Sequence, residues 1–401
     1  MERTTVIRNG WIYTLVFLLS MPWSATRAQE AGLRFERLNG ADDVSFGKIN
    51  AFIQDTFGYM WFSDQTYGMV VRYDGSAVSR YAFDPDDPNS ISGYYPETLA
   101  RGRDGEIWSG FSHDGGLDRY NPVTRSFTTY RYDPNDPESL IDDNVAAILV
   151  DREGMVWTGT LEGLARMDPA TGKFTHFRHH PDDPGSLSNN IVRSIYEDRE
   201  GTLWVGTGVP WEPQGGGGLN RFDRDTGTFT RFLHDPDDPN SLLGNKVRAI
   251  YEDKQGVLWV GTDQNGLHRM NRESGTFTRV AYWPGSSNGL RQAPVEWNMD
   301  HITFITEDQK GYLLIGVYDR GVIRFNPERD HAVLLGSNGV PAGDYRENTS
   351  WAAYVADNGL IWLATQENKL YKADLGFPLI AETEFPDELT HLVEKGNAQL
   401  W

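Results

Sequence analysis

Residues 190–198 read N-I-V-R-S-I-Y-E-D, 198–201 D-R-E-G, 203–207 L-W-V-G-T, 218–223 G-L-N-R-F-D, 225–228 D-T-G-T and 229–233 F-T-R-F-L. Four short apolar and β-branched runs are separated by turn chemistry, and none has room for a helix. D-R-E-G suits a type I turn, with Asp at its first position and Gly at its last. The runs are therefore four antiparallel strands, a to d, joined by hairpins. Strands a and b are almost continuously apolar instead of alternating, as expected of a sheet covered on both faces.

The same unit recurs along the chain. Aligned on tryptophan, it gives DTFGYMW ending at Trp61, GRDGEIW at Trp108, DREGMVW at Trp157, DREGTLW at Trp204, DKQGVLW at Trp259, DQKGYLL at Leu314, DNGLIW at Trp362 and GNAQLW at Trp401. The steps are 47, 49, 47, 55, 55, 48 and 39 residues. Four-stranded sheets repeated at this period, each covering the next, make an all-β fold, a β-propeller of four-stranded antiparallel blades. The tryptophans then fill the core between blades. Residues 34–38, R-F-E-R-L, read as a strand d without its own a, b and c. They are expected to complete the blade around Trp362, which closes a seven-bladed ring and removes its open edges.

Composition agrees with this reading. In 401 residues, 39% are hydrophobic and 12% aromatic, with 42 Gly and 20 Pro for the turns. No cysteine is present, so disulfides, thiolate metal sites and cysteine nucleophiles are excluded. A formal charge of −20 disfavours nucleic acid and anionic membranes as partners.

Residues 1–28 have their own character. Arg3 and Arg8 precede an apolar run from Trp11 to Trp23, followed by A-T-R-A, the pattern of a secretory signal peptide. The run is too short to span a bilayer, and no later stretch is apolar enough to do so. The expected organisation is a signal peptide at 1–28, a propeller at 32–375 and the start of a further, incomplete repeat at 376–401. Export to the periplasm follows.

The repeat lacks the W-D dipeptide of WD40 proteins and the paired glycines of kelch. With E-D-x-x-G-x-L-W-V-G-T-x-x-G-L-x-R-F-D and a D-P-D-D-P-x-S-L link, it resembles the two-component regulator propeller repeat. That resemblance implies the periplasmic sensor region of hybrid two-component regulators and sensor histidine kinases, and hence signal transduction. Such proteins continue through a second propeller, a β-sandwich, a membrane helix and an output domain, whereas this sequence stops on a core tryptophan, Trp401. A C-terminally truncated chain is therefore expected.

In an antiparallel blade the b–c loops and d–a links open on one face, and the a–b and c–d turns on the other. Both long insertions obey this parity, 208–218 as a b–c loop and 283–297 as a d–a link. They carry Trp211, Glu212, Trp283, Arg291, Glu296 and Trp297, and the link before the second blade adds Tyr94 and Tyr95. Exposed aromatics beside charged groups suit a small polar ligand or an oligosaccharide, so these eight residues are the candidate binding set. Lys48, Asn190, Asn245 and His301, where strand a begins, either ring the channel mouth or satisfy turn backbone groups.

The D-P-D-D-P-N-S links lack the Gly and Glu of a calcium loop and are expected to be turns. The arginines repeated in strand c, Arg72 to Arg324, are expected to pair with turn aspartates such as Asp198 and Asp253. No histidine spacing or nucleophile elbow marks a catalytic centre, and no metal or cofactor is expected. The expectation is a ligand-sensing or interaction propeller that is not itself an enzyme. The alternatives are a propeller glycosidase or polysaccharide lyase, with Glu212 and Glu296 as its acid and base, and an architectural module that dimerises its receptor.

Overall fold

A computed structural model describes residues 36–37, 46–113, 115–208, 216–280, 282, 301–318, 320–328, 331–335, 350–365 and 370–374. The expected signal peptide, the incomplete repeat at 376–401 and both insertions lie outside these residues or nearly so. The described strands form seven four-stranded antiparallel sheets with no helix among them. Each of the first six blades follows chain order a-b-c-d. Their inner strands are β2 (Ile49–Gln54), β6 (Pro96–Arg101), β10 (Val145–Val150), β14 (Val192–Glu197), β18 (Val247–Glu252) and β22 (Ile302–Glu307).

The seventh blade closes the ring as the sequence implied. Its strands β26 (Ser350–Val355), β27 (Ile361–Thr365) and β28 (Leu370–Ala373) are joined by β1 (Glu36–Arg37). Glu36 pairs with Lys372 and Arg37 with Tyr371. Neighbouring inner strands touch all the way round, including β26 against β2, so the a strands line the central channel.

All seven b strands are buried from end to end. The reason is visible in the core clusters, which lie between blades. Trp204 of blade 4 packs with Val247, Ile250, Leu258 and Val260 of blade 5, and Trp157 of blade 3 with Leu203, Val205 and Phe222 of blade 4. The glycine of the W-V-G-T strand belongs to the same interface. A Cβ on Gly206 would meet Val247 Cγ1 at 2.8 Å, and one on Gly159 would meet Val192 Cγ1 at 2.6 Å. Blades 2 to 5 thus each present a hole that receives the first residue of the next inner strand.

The indole N–H groups need partners in this dry setting. Trp61, Trp157, Trp204 and Trp259 donate to Asp55, Asp151, Asp198 and Asp253 at 2.7–2.8 Å, six residues upstream in the a–b turn. The same carboxylates accept turn N–H groups, as Asp198 Oδ1 does from Glu200 and Thr202. The expected pairing of strand c arginines with these aspartates occurs at Arg324, whose Nε reaches Asp308 at 2.8 Å in the blade where Leu314 replaces tryptophan. Where tryptophan and the turn aspartate are both present the indole takes the carboxylate and the arginine stacks, as Arg72 and Arg166 do at 5.9 and 5.7 Å from the ring centroids. In blade 2, which lacks the aspartate, Arg119 stacks on Trp108 at 5.5 Å and also pairs with Glu106 at 3.3 Å.

The acidic links are turns, as expected. Asp84 and Asp87 Oδ1 accept the backbone N–H groups of Asp86 and Asn89, and Ser90 Oγ bonds to the backbone of Asp84. Each link also docks on the outer strand of the following blade. Asn89 O accepts from Phe127 N at 3.0 Å, and the bond recurs from Phe174, Phe229 and Phe277.

Candidate functional site at the channel mouth

Every inner strand carries a one-residue bulge beside its first residue, where the register with strand b shifts. A bulge removes a residue from the ladder and re-aims its side chain. In β10, β14, β18 and β22 the anchor is the apolar first residue lodged over the glycine of the preceding blade, so packing fixes where the bulge falls. The bulged residues are Asn50 (with Ala51), Glu97, Ala146, Arg193, Arg248, Thr303 and Trp351. They form one tier around the channel, at the end where strand a starts and strand b finishes. This is the face that received both insertions by parity.

Contacts across the axis confirm that the tier is shared. Arg248 of blade 5 lies 5.1 Å from the ring centroid of Trp351 in blade 7, and Lys48 of blade 1 lies 4.7 Å from the same centroid. Asn50 Nδ2 donates to Glu97 Oε2 at 2.9 Å, and Gln65 Nε2 to the same oxygen at 3.1 Å. Lys48 Nζ donates to Gln65 Oε1 at 3.0 Å. Thr303 Oγ1 donates to the backbone oxygen of Ser350 at 2.8 Å. His301 is fully buried, joined through Nδ1 to Asp263, and its ring meets Tyr318 edge-on at 5.9 Å.

The electrostatics follow from this enclosure. Burial holds the Lys48 ammonium below its ordinary value, with Arg248 adding to the effect and Glu97 opposing it. Burial, together with the like charge of Arg193, brings Arg248 down to about 10. Asp263 is buried, yet its bond to His301 and the charges of His301, Arg248 and Lys246 hold its carboxyl below the ordinary range.

Of the eight residues proposed from sequence, Tyr94 and Tyr95 are described. They are 58% and 44% exposed, on the expected face, with Tyr94 edge-on to Phe83 and Tyr95 tilted against His113. Trp211, Glu212, Trp283, Arg291, Glu296 and Trp297 lie outside the described residues. Of the four candidates at the start of strand a, Lys48 and His301 belong to the mouth. Asn190 and Asn245 do not: their side-chain oxygens accept the backbone N–H groups of His179 and His234, so they hold the d–a links. Sequence reasoning missed Glu97, Arg193, Arg248, Asp263 and Trp351. For Glu97, Arg193, Arg248 and Trp351 the signal was variation, since the second residue of strand a differs between most repeats; Asp263, just after strand b, carried no such signal.

Residues 186–208 and 241–264 match the two-component regulator propeller family, so the chain carries that repeat. Curated sequences yield no match. Among solved structures, an extracellular domain assigned to a hybrid two-component system of B. thetaiotaomicron is 24% identical, with a TM-score of 0.66 over 85% of this chain and 42% of that one. An extracellular domain assigned to a one-component system of the same organism is 18% identical, with a TM-score of 0.62 over 84% and 39%. Virginiamycin B lyase from Staphylococcus aureus is 14% identical, with a TM-score of 0.61 over 85% and 99%. The likeness in all three is one of fold. The chain spans about two fifths of the length of the two extracellular domains.

Proposed function

We propose that this chain, built from two-component regulator propeller repeats, is an exported ligand-sensing or interaction propeller that resembles the input part of a two-component regulator and has no catalysis of its own. The carrying observation is the bulge tier. Seven blades that repeat their packing residues place seven mostly different side chains at one channel mouth, and uniform packing gives no reason for that difference. Periplasmic location is supported by the pattern of residues 1–28, and by the extracellular origin of two structures of similar fold. No helix among the described residues is long and apolar enough to cross a membrane.

The ligand is a small molecule or an oligosaccharide, received between the mouth, Tyr94 and Tyr95, and the insertion residues Trp211, Glu212, Trp283, Arg291, Glu296 and Trp297. Receptor dimerisation through the propeller is a compatible role. An enzyme reading has one observation in its favour, the His301–Asp263 pair beside Tyr318, together with the lyase of similar fold. A general base must reach its substrate, however, and His301 is 0% exposed. Calorimetric titration of the folded protein with an oligosaccharide panel, followed by product analysis after long incubation, tests the proposal. Binding without turnover is expected. Cleaved product would favour a lyase or glycosidase, and binding that survives removal of the aromatic residues would exclude the loop set.

A further inference from the structure

The mouth is uneven in how its polar groups are satisfied. On the wall of blades 1 and 2, Lys48, Gln65, Glu97 and Asn50 are linked in a chain of hydrogen bonds that gives each charged group a partner, although Asn50 Oδ1 is buried without one. Between blades 5 and 6, Asp263 is committed to His301. The wall of blades 4 and 5 differs. Arg193 and Arg248 sit at the same tier on adjacent inner strands, half-buried, and neither has a hydrogen bond or ion pair among the described residues. Next to Arg248, Lys246 is 7% exposed and its buried ammonium has no hydrogen-bond partner.

Arginines elsewhere on the molecule fall into two groups: Arg72 and Arg166 are half-buried and stack on tryptophan without an ion pair among the described residues, whereas others are paired. Arg224 reaches Asp151 and Glu197 at 2.9 and 2.8 Å, Arg272 reaches Glu252 at 2.7 Å, and Arg152 reaches Glu197 at 3.0 Å. What distinguishes Arg193 and Arg248 is that two like charges lie on adjacent strands beside a buried ammonium without a partner, and desolvating such a cluster with no anion is costly. At the mouth the cations Lys48, Arg193, Lys246 and Arg248 face the carboxylates Glu97 and Asp263. The local balance is positive in a chain whose formal charge is −20. A guanidinium presents its donors in a planar fork that matches two oxygens of a carboxylate, sulfate or phosphate group.

We infer that the channel mouth is an oxyanion site, in which Arg193 and Arg248 hold the carboxylate, sulfate or phosphate monoester of a small ligand while the Trp351 ring flanks its body. The inference rests on the reading of this face as the binding face and names the ligand chemistry. The ligand is small, because the acidic surface of the whole chain repels polyanions. Arg248 remains protonated at neutral pH even at about 10.

The test is thermal denaturation of the full chain at constant ionic strength and neutral pH, with chloride replaced stepwise by sulfate, inorganic phosphate or glucuronate, and with glucose as the uncharged control. At least one anion should raise the melting temperature with a saturable dependence, and the three arms distinguish the oxyanions. The Arg193→Gln/Arg248→Gln double variant should lose that response, with affinity down about 30-fold or more. Arg193→Gln alone, which relieves repulsion and breaks no bond, should melt no lower than the parent without ligand. No saturable rise with any of the three anions, or an equal rise in the double variant, overturns the inference. If a neutral oligosaccharide binds and no anion does, the oxyanion site is wrong and the sensing proposal stands; if neither binds, both fall.

Discussion

The aspartate that opens the a–b turn accepts the indole N–H six residues on in blades 1, 3, 4 and 5, and the exceptions are instructive. In blade 2 its place is taken by Gly102, where a Cβ would meet the Glu106 carboxyl carbon at 2.3 Å, so the space is filled, yet the Trp108 indole N–H is buried without a partner. In blade 7 the position holds Ala356, and the Trp362 indole N–H is left buried without a partner. The Ala356 turn keeps the backbone bonds of the others, from Ala356 N to Leu360 O and from Gly359 N to Ala356 O. Ala356→Asp should therefore supply the missing acceptor and raise stability by about 1 kcal/mol. Chemical denaturation checks this, and a lower midpoint would show that blade 7 cannot accommodate the carboxylate.

Asp118 gives the pH prediction at the same scale. It is fully buried in strand c of blade 2, accepts from Ser92 N at 2.7 Å and Thr129 Oγ1 at 2.7 Å, and burial pushes its carboxyl up to about 6. Because the native state keeps the proton to higher pH than the unfolded chain, this group's contribution is present at low pH and is lost as pH rises towards and through about 6. Blade 4 shows the neutral substitute: Asn220 occupies the equivalent position and accepts from Ser188 N at 2.9 Å. Asp118→Asn should gain on the parent by on the order of 1 kcal/mol between pH 5 and pH 8. Urea denaturation at the two pH values measures it, and a difference independent of pH would refute the shift.

Among the elements, the strand pattern was legible because each blade repeats its own evidence. Hairpin turns, a buried b strand and a tryptophan at fixed spacing recur, and the orphan strand at 34–38 foretold closure. The site was less legible for a physical reason. A bulge is a shift of register between two strands, and nothing in the periodicity of one strand reveals it. The aromatics of the long loops drew attention, while Arg193 and Arg248 read as ordinary strand residues. Closure itself is testable. A chain beginning at Phe46 lacks β1 and leaves β28 as a bare edge in blade 7, where Asp357 N also reaches across to Gln54 Oε1 of blade 1 at 2.7 Å. It should melt earlier and self-associate with rising concentration, as an open edge does. Unchanged melting and a monomeric profile in analytical ultracentrifugation would show that the N-terminal strand is dispensable.

At the scale of the whole molecule, the two faces have different work. The face of a–b turns is tied blade to blade, by Arg152 to Glu197, Arg224 to Asp151 and Arg272 to Glu252 within or between neighbours, and by the backbone N–H of Lys254 to Glu307 at 2.8 Å. Its charges are consumed in holding the ring together. The opposite face keeps Arg193, Arg248 and Lys246 without such partners, and Tyr94 and Tyr95 exposed. The central claim is that this second face receives the ligand. Hydrogen exchange followed by mass spectrometry, on the full chain with and without a ligand found by titration, addresses that claim most directly. Protection should rise in segments around residues 48–50, 95–97, 191–193, 246–248, 301–303 and 350–351, and stay constant in the a–b turns around 55–59, 151–155 and 198–202. Protection concentrated in those turns, with the mouth unchanged, would contradict it.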